Sequence, residues 1–268
     1  MSPRIPSLPP FVSFQTNAAG LLAPSPPRLQ DPTDPISYVC AWLALVPQGL
    51  CVAYATLVWS TREAEIALMF AGQLGCEALN FALKRLIKEE RPSRMNGKGY
   101  GMPSSHAQFA AYFAVSVALF LLVRHSPPPS PPPSSRSDSG RKPIRNHNHT
   151  PMSRLERVAW SALALLVAAA VAWSRIYLNY HTPRQVVAGC TAGAFSAVIW
   201  FAITEAARRT GLLAWAINLP PARWLRVRDL AVEEDPCQAG WEKWDGRRAA
   251  RRAEEERRRL KDGKEKEK

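Results

Sequence analysis

Val158-Ala159-Trp160-Ser161-Ala162-Leu163-Ala164-Leu165-Leu166-Val167-Ala168-Ala169-Ala170-Val171-Ala172-Trp173 is apolar apart from Ser161, and it stops on Ser174-Arg175. A helix on the surface of a soluble protein alternates apolar and polar faces; this stretch has no polar face. At about 1.5 Å rise per residue it reaches, with its flanks, across the hydrocarbon core of a bilayer. Four other runs share its character: Tyr38–Trp59, Ala64–Leu83, Ala107–Val123 and Val186–Thr204. A span needs roughly 20 residues, which three of the runs meet outright and the other two reach by borrowing flanking residues. The expected fold is all-α, a polytopic membrane helical bundle of about five transmembrane helices.

The mean hydropathy of −0.18 conceals this, because polar ends offset an apolar middle. The net charge of +13 is equally uneven, with Arg, Lys and Glu crowded into Arg247–Lys268. In a membrane chain such flanks hold orientation, so no nucleic-acid partner is expected and the bilayer itself is. Of five cysteines, Cys40, Cys51, Cys76 and Cys190 lie inside apolar runs and Cys237 in the tail. They show no disulfide or metal spacing, and no cofactor is expected.

The chain divides into a Pro-rich leader at 1–36, a membrane domain at 37–205 and a charged tail at 206–268. The leader lacks a cleavable signal pattern and reads as disordered. Within the membrane domain, 125–156 is a Pro-rich linker without chemistry-bearing residues. Leu212–Leu219 is too short to cross and reads as interfacial, with Trp215 and Trp224 as anchors. Parity over five spans places the connectors at 84–106 and 174–185 on one side and the linker and tail on the other. The linker and tail are strongly basic, which assigns them to the cytosol and the connectors to the opposite side. Asn148-His149-Thr150 fits a glycosylation sequon, which this topology leaves in the cytosol and bare.

The two connectors carry the chemistry. Lys84 and Arg91 are followed by Pro103-Ser104-Ser105-His106 and then by Ser174, Arg175, His181 and Gln185. Lys84, Arg91 and Arg175 supply the positive charge that a phosphate requires, and the Arg fork suits its oxygens. Pro103-Ser104-Ser105 opens an apolar helix, whose free N–H groups favour an anion, and Ser104 can donate a further hydrogen bond. Each element alone has a plainer reading: an interface anchor, a helix cap or a structural histidine. Their occurrence together on one predicted side points to phosphoryl transfer from a lipid.

These stretches resemble the signature of the type 2 phosphatidic acid phosphatase superfamily, which reads KxxxxxxRP, PSGH and SRxxxxxHxxxD. The resemblance covers residues 84–185 and implies that His181 is the nucleophile and His106 the acid and base. It further implies that Lys84, Arg91, Ser104, Ser105 and Arg175 hold the phosphate without a metal. Two positions depart: Ser105 stands for Gly and Gln185 for Asp. Gln185 can still orient His181 through its carbonyl oxygen, but without charge, so activation is weaker. A diphosphate, whose leaving group is a phosphomonoester, tolerates that better than an alkyl phosphate.

The same two departures are similar to the branch that acts on dolichyl diphosphate in the endoplasmic reticulum. That similarity implies release of inorganic phosphate at the lumenal face, in support of N-glycosylation. Alternatives are a phosphatase for phosphatidate or a shorter prenyl diphosphate, or a silent lipid-binding protein. Lys264 and Lys266 resemble a dilysine signal read by coat proteins, which requires a cytosolic tail. Glu77 and Asn80 lie in the second span before Lys84. Glu77 reads as a bundle-facing structural residue or as a partner for a motif cation.

Overall fold

The structure, a computed structural model, describes residues 34–91, 99–125, 152–230, 232 and 236–266. Residues 1–33 of the leader, Pro92, and residues 126–151 of the linker with Asn148 lie outside the described residues, as do the side chains of Lys264 and Lys266. Among the described residues, five helical stretches are long and apolar enough to cross a membrane: Pro35–Thr61, Ala64–Ile87, Ser105–Arg124, Arg154–Tyr177 and Pro183–Arg209. Large apolar side chains such as Trp59, Leu86, Leu155, Leu166 and Phe195 point outward, as they do where the solvent is lipid.

The first stretch departs from the expected continuous span. It consists of α1 (Pro35–Leu43) and α2 (Val46–Thr61), separated by a turn at Ala44 and Leu45. Pro47 in the first turn of α2 has no N–H to give to the preceding turn, and the helix breaks there. Asp34 caps α1 by accepting from the Ile36 N–H at 3.1 Å. Its other oxygen accepts from the Tyr177 hydroxyl at 2.7 Å, which ties the start of the bundle to the end of the span Arg154–Tyr177.

The helix α3 (Ala64–Ile87) leads to α4 (Ser105–Leu119), which continues as a wider π turn at Phe120–Arg124. After the linker come α5 (Arg154–Tyr177) and α6 (Pro183–Arg209). The short α7 (Leu212–Asn218) and α8 (Pro220–Trp224) leave Trp215 and Trp224 exposed, as an interfacial segment should. The tail forms a long helix, α9 (Pro236–Lys266).

α4 is the centre, packed chiefly on α6 and α5. Small residues let the backbones close. A Cβ on Gly193 would lie 2.2 Å from the Gln108 carbonyl oxygen, and one on Gly189 would lie 2.6 Å from that of Ser104. This Gly189-x3-Gly193 spacing is a membrane-helix packing device that lowers α6 directly onto α4. Buried amides then lock the helices. Asn80 donates to Gln108 Oε1 at 2.7 Å, Gln108 Nε2 to the Cys76 carbonyl at 2.9 Å, and Gln73 Nε2 to the Phe109 carbonyl at 3.2 Å.

A set of ion pairs closes one end of the bundle. Glu65, at the start of α3, takes Arg124 at 2.7 Å and Arg208 at 2.6 Å. Arg208 also bonds Asp229 Oδ1 at 2.8 Å, and Arg228 meets the buried Glu63 at 2.7 Å. The segment after α8 is therefore held against the beginning of α3. Lys84, nineteen residues beyond Glu65 on the same helix, lies about 28 Å away at the other end.

The close approach at Gly193 gives a direct test. Gly193→Ala overpacks the α4–α6 contact and lowers stability by about 1–3 kcal/mol. Thermal unfolding in detergent should show a lower midpoint, whereas Gly75→Ala, with nothing near its Cβ position, should leave it in place.

Candidate active site

Every sequence-predicted site residue falls at the end of the bundle away from the Glu65 cluster: the end of α3, the start of α4, the end of α5 and the start of α6. Two backbone features bring them together. The Ser104 N–H donates to the Gln185 carbonyl at 3.1 Å, joining the starts of α4 and α6. After α5 the chain reverses at Asn179, whose φ of 56° is a left-handed value that Asn tolerates. The N–H groups of Tyr180 and His181 then both donate to the Arg175 carbonyl, at 3.0 and 3.2 Å. His181 is thereby held beside Arg175.

Ser104 occupies the N-cap of α4, where a serine ordinarily accepts from the helix backbone. Its side chain makes no cap bond; Oγ is buried and has no partner among the described residues. The same holds for Arg91 Nε and for Arg175 Nε and Nη1. The Arg175 guanidinium stacks 4.2 Å over the Tyr180 ring, which fixes its plane while leaving those donors uncommitted. Lys84 Nζ donates to Ser105 Oγ at 3.3 Å, so Ser105 steadies the lysine. Buried donors without protein acceptors are rare, and several of them at one end of the bundle suit a multivalent anion.

The two histidines are oriented through their ring nitrogens. His181 Nδ1 lies 3.2 Å from Gln185 Oε1. Gln185 is fully buried and its amide is saturated: Oε1 also accepts from the Thr182 N–H at 3.3 Å, and Nε2 donates to Glu89 Oε1 at 3.0 Å and to the Glu90 carbonyl at 2.9 Å. With the amide oxygen facing the ring, Nδ1 carries the proton and Nε2 keeps the lone pair. Burial pushes the His181 pKa down to about 4; the Gln185 bond opposes this, and Arg91, Arg175 and Lys84 add to it. The imidazole is neutral at pH 7, the form in which a histidine is nucleophilic.

His106 Nε2 lies 3.1 Å from the Ala44 carbonyl, the oxygen exposed by the break between α1 and α2. A carbonyl only accepts, so Nε2 is protonated and Nδ1 is left for proton transfer. Beside His106 opens a cavity of about 360 Å³ between α2, α3 and α4, lined by Pro47, Gln48, Cys51, Glu77, Ser105 and Phe109. Glu77 lines this opening between the helices, and Asn80, one turn on, is fully buried. Three participants escaped the sequence reading. Glu89 and the Ala44 carbonyl had no motif to mark them. Thr182 did have one: Thr182-x-x-Gln185 is a capping box, with both reciprocal bonds formed.

A family model of the PAP2 superfamily matches residues 65–209. A Neurospora crassa protein assigned as a dolichyldiphosphatase is 52% identical over 264 residues, covering 86% of this chain and 93% of that protein. Dolichyldiphosphatase 1 of Dictyostelium discoideum is 32% identical, covering 75% of this chain and 80% of its own. The human dolichyldiphosphatase 1 is 31% identical over 74% of this chain and 77% of its own.

The depressed His181 pKa gives a pH dependence with a defined sign. A histidine in a nucleophilic role acts as the neutral ring, so in that role His181 would lose activity only as pH falls through the folded-state value of about 4, not through the ordinary 6.5. The acid limb of kcat/KM should lie nearer the lower value in initial-rate measurements at varied pH. Arg91→Met, which removes one of the cations, should move that limb upward.

Proposed function

The chain belongs to the dolichyldiphosphatase family of the PAP2 superfamily, and from that premise we propose that it hydrolyses dolichyl diphosphate to dolichyl phosphate and inorganic phosphate. The observation that carries this reading is the group of uncommitted buried donors on Arg91, Ser104 and Arg175 around a neutral His181 whose Nδ1 is held by Gln185.

The terminal phosphate rests among Lys84, Arg91, Ser104 and Arg175, which neutralise its oxygens. His181 Nε2 attacks phosphorus in line. A P–N bond forms and the bond to the bridging oxygen breaks; His106, which enters this step as the imidazolium beside the bound anionic diphosphate with its Nε2 proton on the Ala44 carbonyl, gives that oxygen its Nδ1 proton as dolichyl phosphate departs. His106, now neutral, takes a proton from water. The hydroxide adds to the phosphohistidine, the P–N bond breaks, and inorganic phosphate leaves. The cations carry the charge that a metal bears in other phosphoryl-transfer sites, so the reaction proceeds in a chelator.

The basic linker and tail support a cytosolic C-terminus and a lumenal site in the endoplasmic reticulum, where the reaction returns the carrier lipid of N-glycosylation. Lys264 and Lys266 fit recognition by coat proteins on that cytosolic side.

The test uses purified protein in EDTA with dolichyl diphosphate, dolichyl phosphate and phosphatidate. The diphosphate should be hydrolysed with the highest kcat/KM. His181→Ala should release no phosphate while keeping its thermal unfolding profile. Preference for either monophosphate removes the substrate reading, and an active His181→Ala removes the nucleophile.

A further inference from the structure

We propose that Glu89 is a positioning residue of the reaction, and that Gln185 and Glu89 form a matched pair which supplies His181 with both its orientation and a negative charge one residue removed. The inference rests on His181 as the nucleophile. It starts from the saturated amide. Gln185 spends two acceptor bonds on His181 Nδ1 and the Thr182 N–H, and two donor bonds on Glu89 Oε1 and the Glu90 carbonyl. A side chain at this position must donate on one side and accept on the other. A carboxylate only accepts. It would set a second negative oxygen against Glu89 at the 3.0 Å now spanned by a hydrogen bond, and a further acceptor against the Glu90 carbonyl.

The neutral residue at 185 is therefore required by what lies behind it. The charge that an acidic residue would hold against the imidazole sits instead on Glu89, and reaches the ring through the amide dipole. The loop that carries Glu89 is itself pinned: the Gly101 N–H donates to the Glu89 carbonyl at 2.7 Å. A Cβ on Gly101 would lie 2.7 Å from Gln185 Nε2, so only glycine lets the loop close over the amide. Glu89 thus stabilises the positive ring that develops when His181 becomes bonded to phosphorus.

The experiment is a charge swap assayed with one diphosphate ester at saturating and limiting concentration. Gln185→Glu, of equal length, brings two carboxylates together and should lower kcat at least about tenfold with a smaller change in KM. Adding Glu89→Gln should restore kcat by at least about tenfold over that single variant, since the donor and the charge have only exchanged places. In the double variant the charge abuts the ring directly, so the acid limb of kcat/KM should move to higher pH than in the parent enzyme. Glu89→Gln alone takes the charge from behind the ring and should move the limb to lower pH, whereas a merely structural Glu89 would leave it in place. Gln185→Glu as active as the parent, or a double variant no better than Gln185→Glu, overturns the proposal. His181→Ala separates the two readings: if it is inactive and the swap shows no rescue, only the pairing fails.

Discussion

One primary amide organises this protein's chemistry. Gln185 has four hydrogen-bonding positions and all four are used, on His181, Thr182, Glu89 and Glu90. Its backbone carbonyl takes a fifth bond, from the Ser104 N–H. Through these the start of α6, the start of α4, the end of α3 and the reversal after α5 share one small region. Leaving a buried amide half satisfied costs about 1–3 kcal/mol per orphaned group, so the arrangement resists partial rearrangement.

The rest of the bundle makes that convergence possible. Gly189 and Gly193 let α6 descend on α4, which sets the height of Gln185 relative to Ser104 and His106. At the opposite end, Glu65 joins Arg124 and Arg208, and fixes the same helices where they leave the membrane. A charge pair buried in this way is weak evidence of net stability, and here it joins the ends of three helices. The π turn at Phe120–Arg124 serves this end by bringing Arg124 under Glu65 and over the Phe201 ring at 4.1 Å.

Much of this was legible from residues alone, for a physical reason. Spans are announced by length and apolarity, and phosphate chemistry draws on few residue types. The helical class, the placement of the spans and the meeting of Lys84, Ser105, Arg175, His181 and Gln185 at one end therefore followed from composition and order. What stayed hidden depends on the third dimension. Pro47 breaks the first span, yet a proline in the first turn of a helix is also ordinary, so the chain gave no sign that Ala44 would face His106. Glu89 reads as one charge among several in Lys88-Glu89-Glu90-Arg91, and only the fold turns it toward Gln185. By residue type alone the departure at 185 is a weaker activator; in the fold its amide donates to two acceptors, Glu89 and the Glu90 carbonyl.

The site lies at the rim of the bundle, and the spans below it turn large apolar side chains such as Leu79, Phe81, Leu166 and Phe195 outward. A substrate anchored in the bilayer would keep its hydrocarbon among lipids while only the headgroup enters. The quantity that governs occupancy is then the mole fraction of that lipid in one leaflet rather than its bulk molarity. Diluting the membrane with inert lipid slows such an enzyme, and diluting the aqueous phase does not.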